Sequence, residues 1–316
     1  MGMRICGVMV VRNEEDIVEA SVRHNLRVVD ALTVIDHAST DATPAILASL
    51  AAEGLPIEVL RDDSIGFLQA DLTTTHARRL LSAGADLCIP IDADEFVRMP
   101  SREAFERFVA STNPARHLVM PWLTYAPDFD APGDIVAKLA HPRRKSIELH
   151  GVYKVIVRRS LLDSPGAIVD RGNHRIAPPG KPTENAHVIV PGDVAAMAHV
   201  PVRSVEQYTA KVVIGYLSRL FAPSDSPATS FHFREAYESI LAGNMPARDR
   251  LVEIAANYAV PAERRIPLRD VTWIEDPFLA DVTLRYTPAR TASPLAQVLA
   301  FGERVAAEVA RTTGGA

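Results

Sequence analysis

The chain has 316 residues, 47% of them apolar and 23% charged, which is ordinary for a globular protein and long enough for one large α/β domain or two smaller ones. A net charge of −5 and an isoelectric point near 6.1 argue against a general nucleic-acid binder, which carries a basic surface. The two cysteines, Cys6 and Cys88, fall in apolar runs and read as small core residues, so neither a disulfide framework nor a cysteine metal site is expected.

The first apolar run, residues 4–11, is too short to span a bilayer, and acids follow it at once. It reads as a strand and not a signal peptide, with no transmembrane segment and a cytoplasmic location expected. Arg12-Asn13-Glu14-Glu15-Asp16 then open a helix to about residue 28, with Asn13 as a good N-cap. A strand over 31–35 ends in Asp36-His37-Ala38-Ser39-Thr40-Asp41 and runs into a helix over 42–53. A third strand, 57–60, leads through Asp62-Asp63 into a helix over 68–83, and a fourth apolar run, 86–90, ends in Ile91-Asp92-Ala93-Asp94-Glu95-Phe96. This alternation predicts a parallel sheet with right-handed crossovers, whose ligands bind outside the carboxyl ends of the strands. Four polar clusters therefore meet at one rim. No Gly-x-Gly-x-x-Gly follows the first strand and no Walker-type Gly-Lys-Ser/Thr occurs, which weakens nicotinamide-cofactor and P-loop readings.

Asp92, Asp94 and Glu95 place three carboxylates within four positions at a strand end. Ionised together they suggest a divalent cation held by oxygen ligands, Mg2+ or Mn2+, able to neutralise a departing diphosphate. A solvated acidic turn before the helix that starts near Ser101 is the alternative.

Beyond residue 115 the alternation stops. Strands are predicted at 117–125 and 152–159, with a loop rich in Pro and Asp at 126–134. Asp128-Phe129-Asp130 in that loop repeats the acid-x-acid pattern without a buried strand before it. His141-Pro142-Arg143-Arg144-Lys145, with Arg158 and Arg159, makes a basic cluster that could meet a phosphorylated ligand or could simply be a solvated face. Helices are predicted at 202–221, 231–242, 247–258 and 295–309. The last carries an apolar stripe of Leu295, Val298, Leu299, Val305 and Val309, read as core packing.

Val11-Arg12-Asn13-Glu14-Glu15, the Asp36 to Asp41 stretch and Asp92-Ala93-Asp94-Glu95-Phe96, in this order and spacing, resemble the family 2 glycosyltransferases, whose nucleotide-sugar domain has the GT-A fold. His199-Val200-Pro201-Val202-Arg203-Ser204, with Gln207 and Lys211, resembles a bacterial subgroup of that family. The resemblance covers about residues 4–215. It implies a nucleotide-sugar-binding half of a GT-A domain over 1–115, an acceptor half over 116–221, and a helical C-terminal extension over 222–316. It also implies a nucleotide pocket of Arg12, Glu14, Asp36, Asp63, Arg78 and Asp92, and a Mn2+ or Mg2+ site of Asp92, Asp94 and His199. Arg79 stands where this pattern more often has Asn.

Such a protein would move a sugar from a UDP- or dTDP-sugar to an acceptor hydroxyl, with inversion. Inversion needs a general base, for which Asp170 and His174 of Asp-Arg-Gly-Asn-His are candidates, with Glu95 behind them. Acceptor contacts are expected from 126–134 and 172–187. The acceptor is read as a small molecule, a glycan or a lipid-linked glycan, and a homo-oligomer is compatible with the sequence. The rival readings are a sugar nucleotidyltransferase, whose glycine-rich basic loop after the first strand is missing here, and a binding module without turnover.

Overall fold

The computed structural model describes residues 2–148, 152–177, 187–222, 231–279 and 281–313. Its first half alternates strand and helix: β1 (Ile5–Val11), α1 (Val18–Asn25), β2 (Ala31–His37), α2 (Thr43–Ala52), β3 (Ile57–Asp62), α3 (Gln69–Ser82) and β4 (Leu87–Asp92). β1 lies between β2 and β4, β3 flanks β2, and all three pairings are parallel. The continuous apolar character of β1 follows from this central place, because such a strand is covered on both faces. The expected α/β class is therefore found.

The first helix starts later than Asn13 suggests. Asn13 is left-handed, with φ 56°, a conformation Asn tolerates better than most residues. Its Oδ1 accepts from the Thr40 amide at 2.7 Å, tying together the loops after β1 and β2. A turn closed by Glu14 O, which accepts from the amides of Ile17 and Val18, then leads into α1.

The chain continues through β5 (Glu95–Arg98), α4 (Arg102–Ala110), β6 (His117–Ala126), a short α5 (Ile135–Lys138), β7 (Arg143–Lys145), β8 (Tyr153–Arg158), the paired β9 (Ile168–Val169) and β10 (Ile176–Ala177), β11 (His187–Ile189) and β12 (Ala196–His199). β8 pairs antiparallel with both β4 and β6, so one sheet runs on past residue 115. β12 lies parallel to β6 and antiparallel to β5, which sets His199 opposite Glu95.

After α6 (Val205–Leu220), α7 (Phe231–Leu241) and α8 (Leu251–Ala256) come β13 (Trp273–Glu275) and α9 (Pro294–Thr313). The extension is not helical throughout: β13 adds to the sheet edge beside β7. Residues 281–293 strap the first half. Buried Glu19 accepts from the amides of Arg285, Tyr286 and Thr287, each at 2.8 Å. Glu19→Ala should cost about 2–4 kcal/mol, since three amides lose their acceptor, and should speed proteolysis within 281–293. A stability loss below ~1 kcal/mol would contradict this.

Two expectations change. In α9 the buried residues are Gln297 and Phe301, whereas Leu295 and Leu299 are exposed, so the stripe is not core. The basic run is dispersed into internal partnerships. Arg158 donates to the carbonyls of Asn113 and Val109, Arg159 to that of Leu81, and Arg144 to Asp276. Asp128 accepts from the Asp130 amide at 3.0 Å, forming a turn. Among the described residues no helix is long and apolar enough to cross a membrane.

Candidate active site

Outside the carboxyl ends of β1 and β4 lies a cavity of about 320 Å³. Arg12 and Glu14 enter it from the loop after β1, and Asp92 and Asp94 from the end of β4. Trp122 of β6, Lys154 of β8 and His199 of β12 form the far wall, and His174 closes one side. α6 covers it with Lys211 and Arg219. The helix is set by Ser204, which accepts from the Gln207 amide at 3.0 Å while Gln207 Oε1 accepts from the Arg203 amide at 3.1 Å, an arrangement close to a capping box.

The acids are held by cations of the chain itself. Lys154, 2% exposed, donates to Asp92 Oδ2 at 2.9 Å and to the Gly172 carbonyl at 2.5 Å, and pairs with Glu95 Oε1 at 2.5 Å. Asp92 Oδ1 accepts from Gln69 Nε2 at 2.6 Å and from Asn173 Nδ2 at 3.0 Å. Asp94 pairs with Lys211, with Arg203 at 3.7 Å, and with His199 Nε2 at 3.5 Å. Burial opposes ionisation of Asp94, yet Lys211 and then His199 hold it well below the usual carboxylate range. Burial, and then the Asp92 charge, pushes Glu95 up to about 8. Arg203, 1% exposed, ties Asp94 to the first loop through Glu14 and through Asp16 at 2.7 Å.

The structure brings Arg12, Glu14, Asp92, Asp94, His174 and His199 to one cavity. It leaves Asp36, Asp63, Arg78, Glu95 and Asp170 outside the cavity wall. Asp36 is 2% exposed, caps its own turn through the Ser39 amide and pairs with Arg61. Asp63 pairs with Arg61 and, at 3.1 Å, with Arg304 of α9. Arg78 spends its guanidinium on the carbonyls of Leu161, Ser164 and Ala167, and Arg79 pairs with Glu58. Glu95 lies behind Asp92, whose amide it accepts from at 2.9 Å. Asp170 closes a turn, accepting from the Arg171 amide and from Arg175. Arg12 itself donates to the carbonyls of His37, Ser64 and Ile65, so it also fixes the rim.

Sequence reasoning missed Lys154, Gln69, Asn173 and Trp122. For Lys154 a signal existed: a lysine inside Tyr153-Lys154-Val155-Ile156-Val157 is a cation within a buried strand, and such a cation requires buried acids.

Asp92, Asp94 and His199 do not assemble as metal ligands. Among the described residues no three His, Cys, Asp or Glu side chains stand close enough to hold an ion. The unpartnered buried Nδ1 of His199 would suit a metal, and burial keeps that ring neutral. Both aspartates, however, already carry ammonium partners. A dication would have to displace Lys154, Gln69 or Asn173 from Asp92, whose two oxygens they occupy, and to compete with Lys211 for the charge of Asp94, so this donor set does not fit one.

The buried charges set a pH dependence. Burial holds His24, His37, His117 and His174 at about 4 and His232 at about 3, against roughly 6.5 when unfolded. Below that value the unfolded chain takes up protons that the folded chain refuses, so these five make stability fall as pH drops. Burial lifts Asp41 to about 6, Glu14 to about 7 and Glu95 to about 8, against roughly 4 when unfolded. These three hold protons that the unfolded chain releases, so they make stability fall as pH rises. Five histidines outweigh three carboxyls below the histidine value and no longer act above it, so the melting temperature should peak near pH ~6.5. A curve still rising at pH ~8 would contradict this.

No family model matches the sequence, and no curated protein is similar to it. Solved structures that overlap with the chain include a mannosyltransferase, PcManGT from Pyrobaculum calidifontis, in complex with GDP-Man and Mn2+. It is 16% identical over 83% of this chain and 77% of that one, with a TM-score of 0.36. GalNAc-T7 with UDP, GalNAc and Mn2+ is 12% identical over 80% of this chain and 57% of that one, with a TM-score of 0.36. A putative glucose-1-phosphate thymidylyltransferase from Bacillus anthracis, in complex with a sucrose, is 10% identical over 70% and 96%, with a TM-score of 0.35. Overlaps this loose carry no functional weight, and the reading below rests on the residues of the cavity.

Proposed function

We propose that the protein is a glycosyltransferase that moves a sugar from a nucleoside-diphosphate sugar, a UDP- or dTDP-sugar, to an acceptor hydroxyl. The observation that carries this is the cavity at the strand ends, where the N–H groups of Arg12 and Lys211 stand beside the carboxylates of Asp92 and Asp94. Burial keeps His174 and His199 neutral, and guanidinium and ammonium groups at this rim suit a diphosphate. Phe67, Trp122 and Phe233 add apolar wall for a base or a sugar face.

In this reading residues 1–115 supply most of the donor contacts, and the acceptor is met by 116–221 and the C-terminal extension. A second cavity, of about 580 Å³, lies between α6, α7 and α8 and shares Lys211, His232, Phe233 and Tyr258 with the first. An acceptor entering there would reach the donor at the shared wall. Its hydroxyl oxygen attacks the anomeric carbon, the bond from that carbon to the phosphate oxygen breaks, and the diphosphate leaves with the electron pair.

His174 takes the hydroxyl proton. Its Nδ1 donates to the Tyr153 carbonyl at 2.9 Å, which leaves Nε2 with the lone pair in the neutral ring. Burial, followed by Lys154, holds its pKa at about 4, so the ring stays an acceptor through the neutral range. Positioning and fixed charge do the rest.

Product analysis separates the readings. Incubation with UDP-, dTDP- and GDP-sugars should release nucleoside diphosphate, with Asp94→Asn abolishing the release. Nucleoside triphosphate formed from pyrophosphate would favour a nucleotidyltransferase, and binding without turnover would favour a binding module.

A further inference from the structure

We propose that the acid cluster of this site is neutralised from within by Lys154 and Lys211, so that the donor diphosphate binds and departs without a divalent cation. This assignment rests on the nucleotide-sugar reading.

The two lysines play different parts. Lys154 donates to Asp92 and to the Gly172 carbonyl at 2.9 and 2.5 Å, and its ammonium lies 2.5 Å from Glu95 Oε1. It is a positioning residue: an internal cation lodged between Asp92 and Glu95, where a metal would otherwise be needed. Lys211 comes from the covering helix. It is bound to Asp94, has only a long contact of 3.5 Å to the Pro201 carbonyl besides, and its ammonium lies 5.4 Å from the Tyr258 ring centre. It therefore has donor capacity to give to a ligand, and it lines the cavity.

The pairing of the strand-end acids decides between the two possibilities. A site that relies on a dication should hold carboxylates without cationic partners before the ion arrives, because the ion's charge has to be balanced by its ligands. Here Asp92 and Asp94 are each already paired with an ammonium of the chain, Lys154 and Lys211. A dication added beside them would meet two fixed positive charges at close range. The ammonium groups instead offer the leaving diphosphate fixed charge that needs no reorganisation.

Calorimetric titration of UDP, dTDP and GDP into the protein, once in EDTA and once in millimolar MnCl2, tests this directly. The expected result is binding in EDTA with a Kd within roughly threefold of that in Mn2+. Lys211→Met should weaken binding in EDTA by about tenfold or more, while Lys211→Arg should stay within a few-fold, about 1 kcal/mol. Circular dichroism checks that each variant folds, and the wild-type comparison stands alone if Lys211→Met does not. Wild-type binding only in the presence of Mn2+ would overturn the assignment and return Asp94 and His199 to the role of metal ligands. Binding of no nucleotide under either condition would remove the nucleotide-sugar reading itself.

Discussion

Arg203→Met should destabilise the protein by roughly 3–5 kcal/mol, because it removes the buried partner of several carboxylates at once. Arg203 is 1% exposed and meets Glu14, Asp16 at 2.7 Å and Asp94 at 3.7 Å. Methionine fills much of the volume but takes the guanidinium away from Glu14 and Asp16 and leaves Asp94 with Lys211 alone as its full cation, and a carboxylate without its partner is costly in a low-dielectric interior. The melting temperature should fall on the order of 10 °C for a chain of this size. Adding Asp16→Asn should recover part of the loss, since it withdraws one of the orphaned charges. A loss under ~1 kcal/mol for Arg203→Met, measured by denaturant unfolding, would show that this network does not hold the first loop to β12 and α6.

His174→Gln is the second large effect, and it falls on turnover. Removing a general base lowers the chemical step by about 10²–10⁴-fold, while contacts to the nucleotide are untouched. The expectation is a large loss in kcat, with nucleoside-diphosphate affinity changed by less than about threefold. Gly172 links the ring to the backbone that carries it: its φ is +68° and a Cβ there would lie 2.5 Å from His174 Nε2. Gly172→Ala should therefore displace the imidazole and reproduce much of the His174→Gln loss. A kcat unchanged in His174→Gln would move the base to another group on the shared wall, His232 being the nearest in chemistry.

The elements were legible because their signals are local. Period-free apolar runs bounded by polar clusters marked β1 to β4, and their alternation with helices fixed a parallel sheet. The strand-end rule then placed Arg12, Glu14, Asp92 and Asp94 at one rim, where the cavity lies. What could not be read depends on pairing at long range. Nothing near Asp92 in sequence announces Lys154, which is 62 residues away, and nothing near Asp94 announces Lys211, which is 117 away. The same limit explains Arg78, whose guanidinium faces backbone carbonyls of 161–167 and not the cavity. Asn13 carries the composition of a cap, but the loop after β2 offered it a better partner in Thr40. The strand β13 and the strap over α1 are settled by partners more than a hundred residues away, so no window of sequence contains them.

The most direct measurement is the location of a bound nucleoside diphosphate, by a crystal structure of the protein soaked with UDP, dTDP or GDP. The result expected is a diphosphate in the cavity of Arg12, Lys211 and Arg219, within hydrogen-bonding reach of the Lys211 ammonium and beside Asp94. A nucleotide seated instead in the cavity between α7 and α8, or a diphosphate turned away from Lys211, would contradict the assignment of this rim as the donor site.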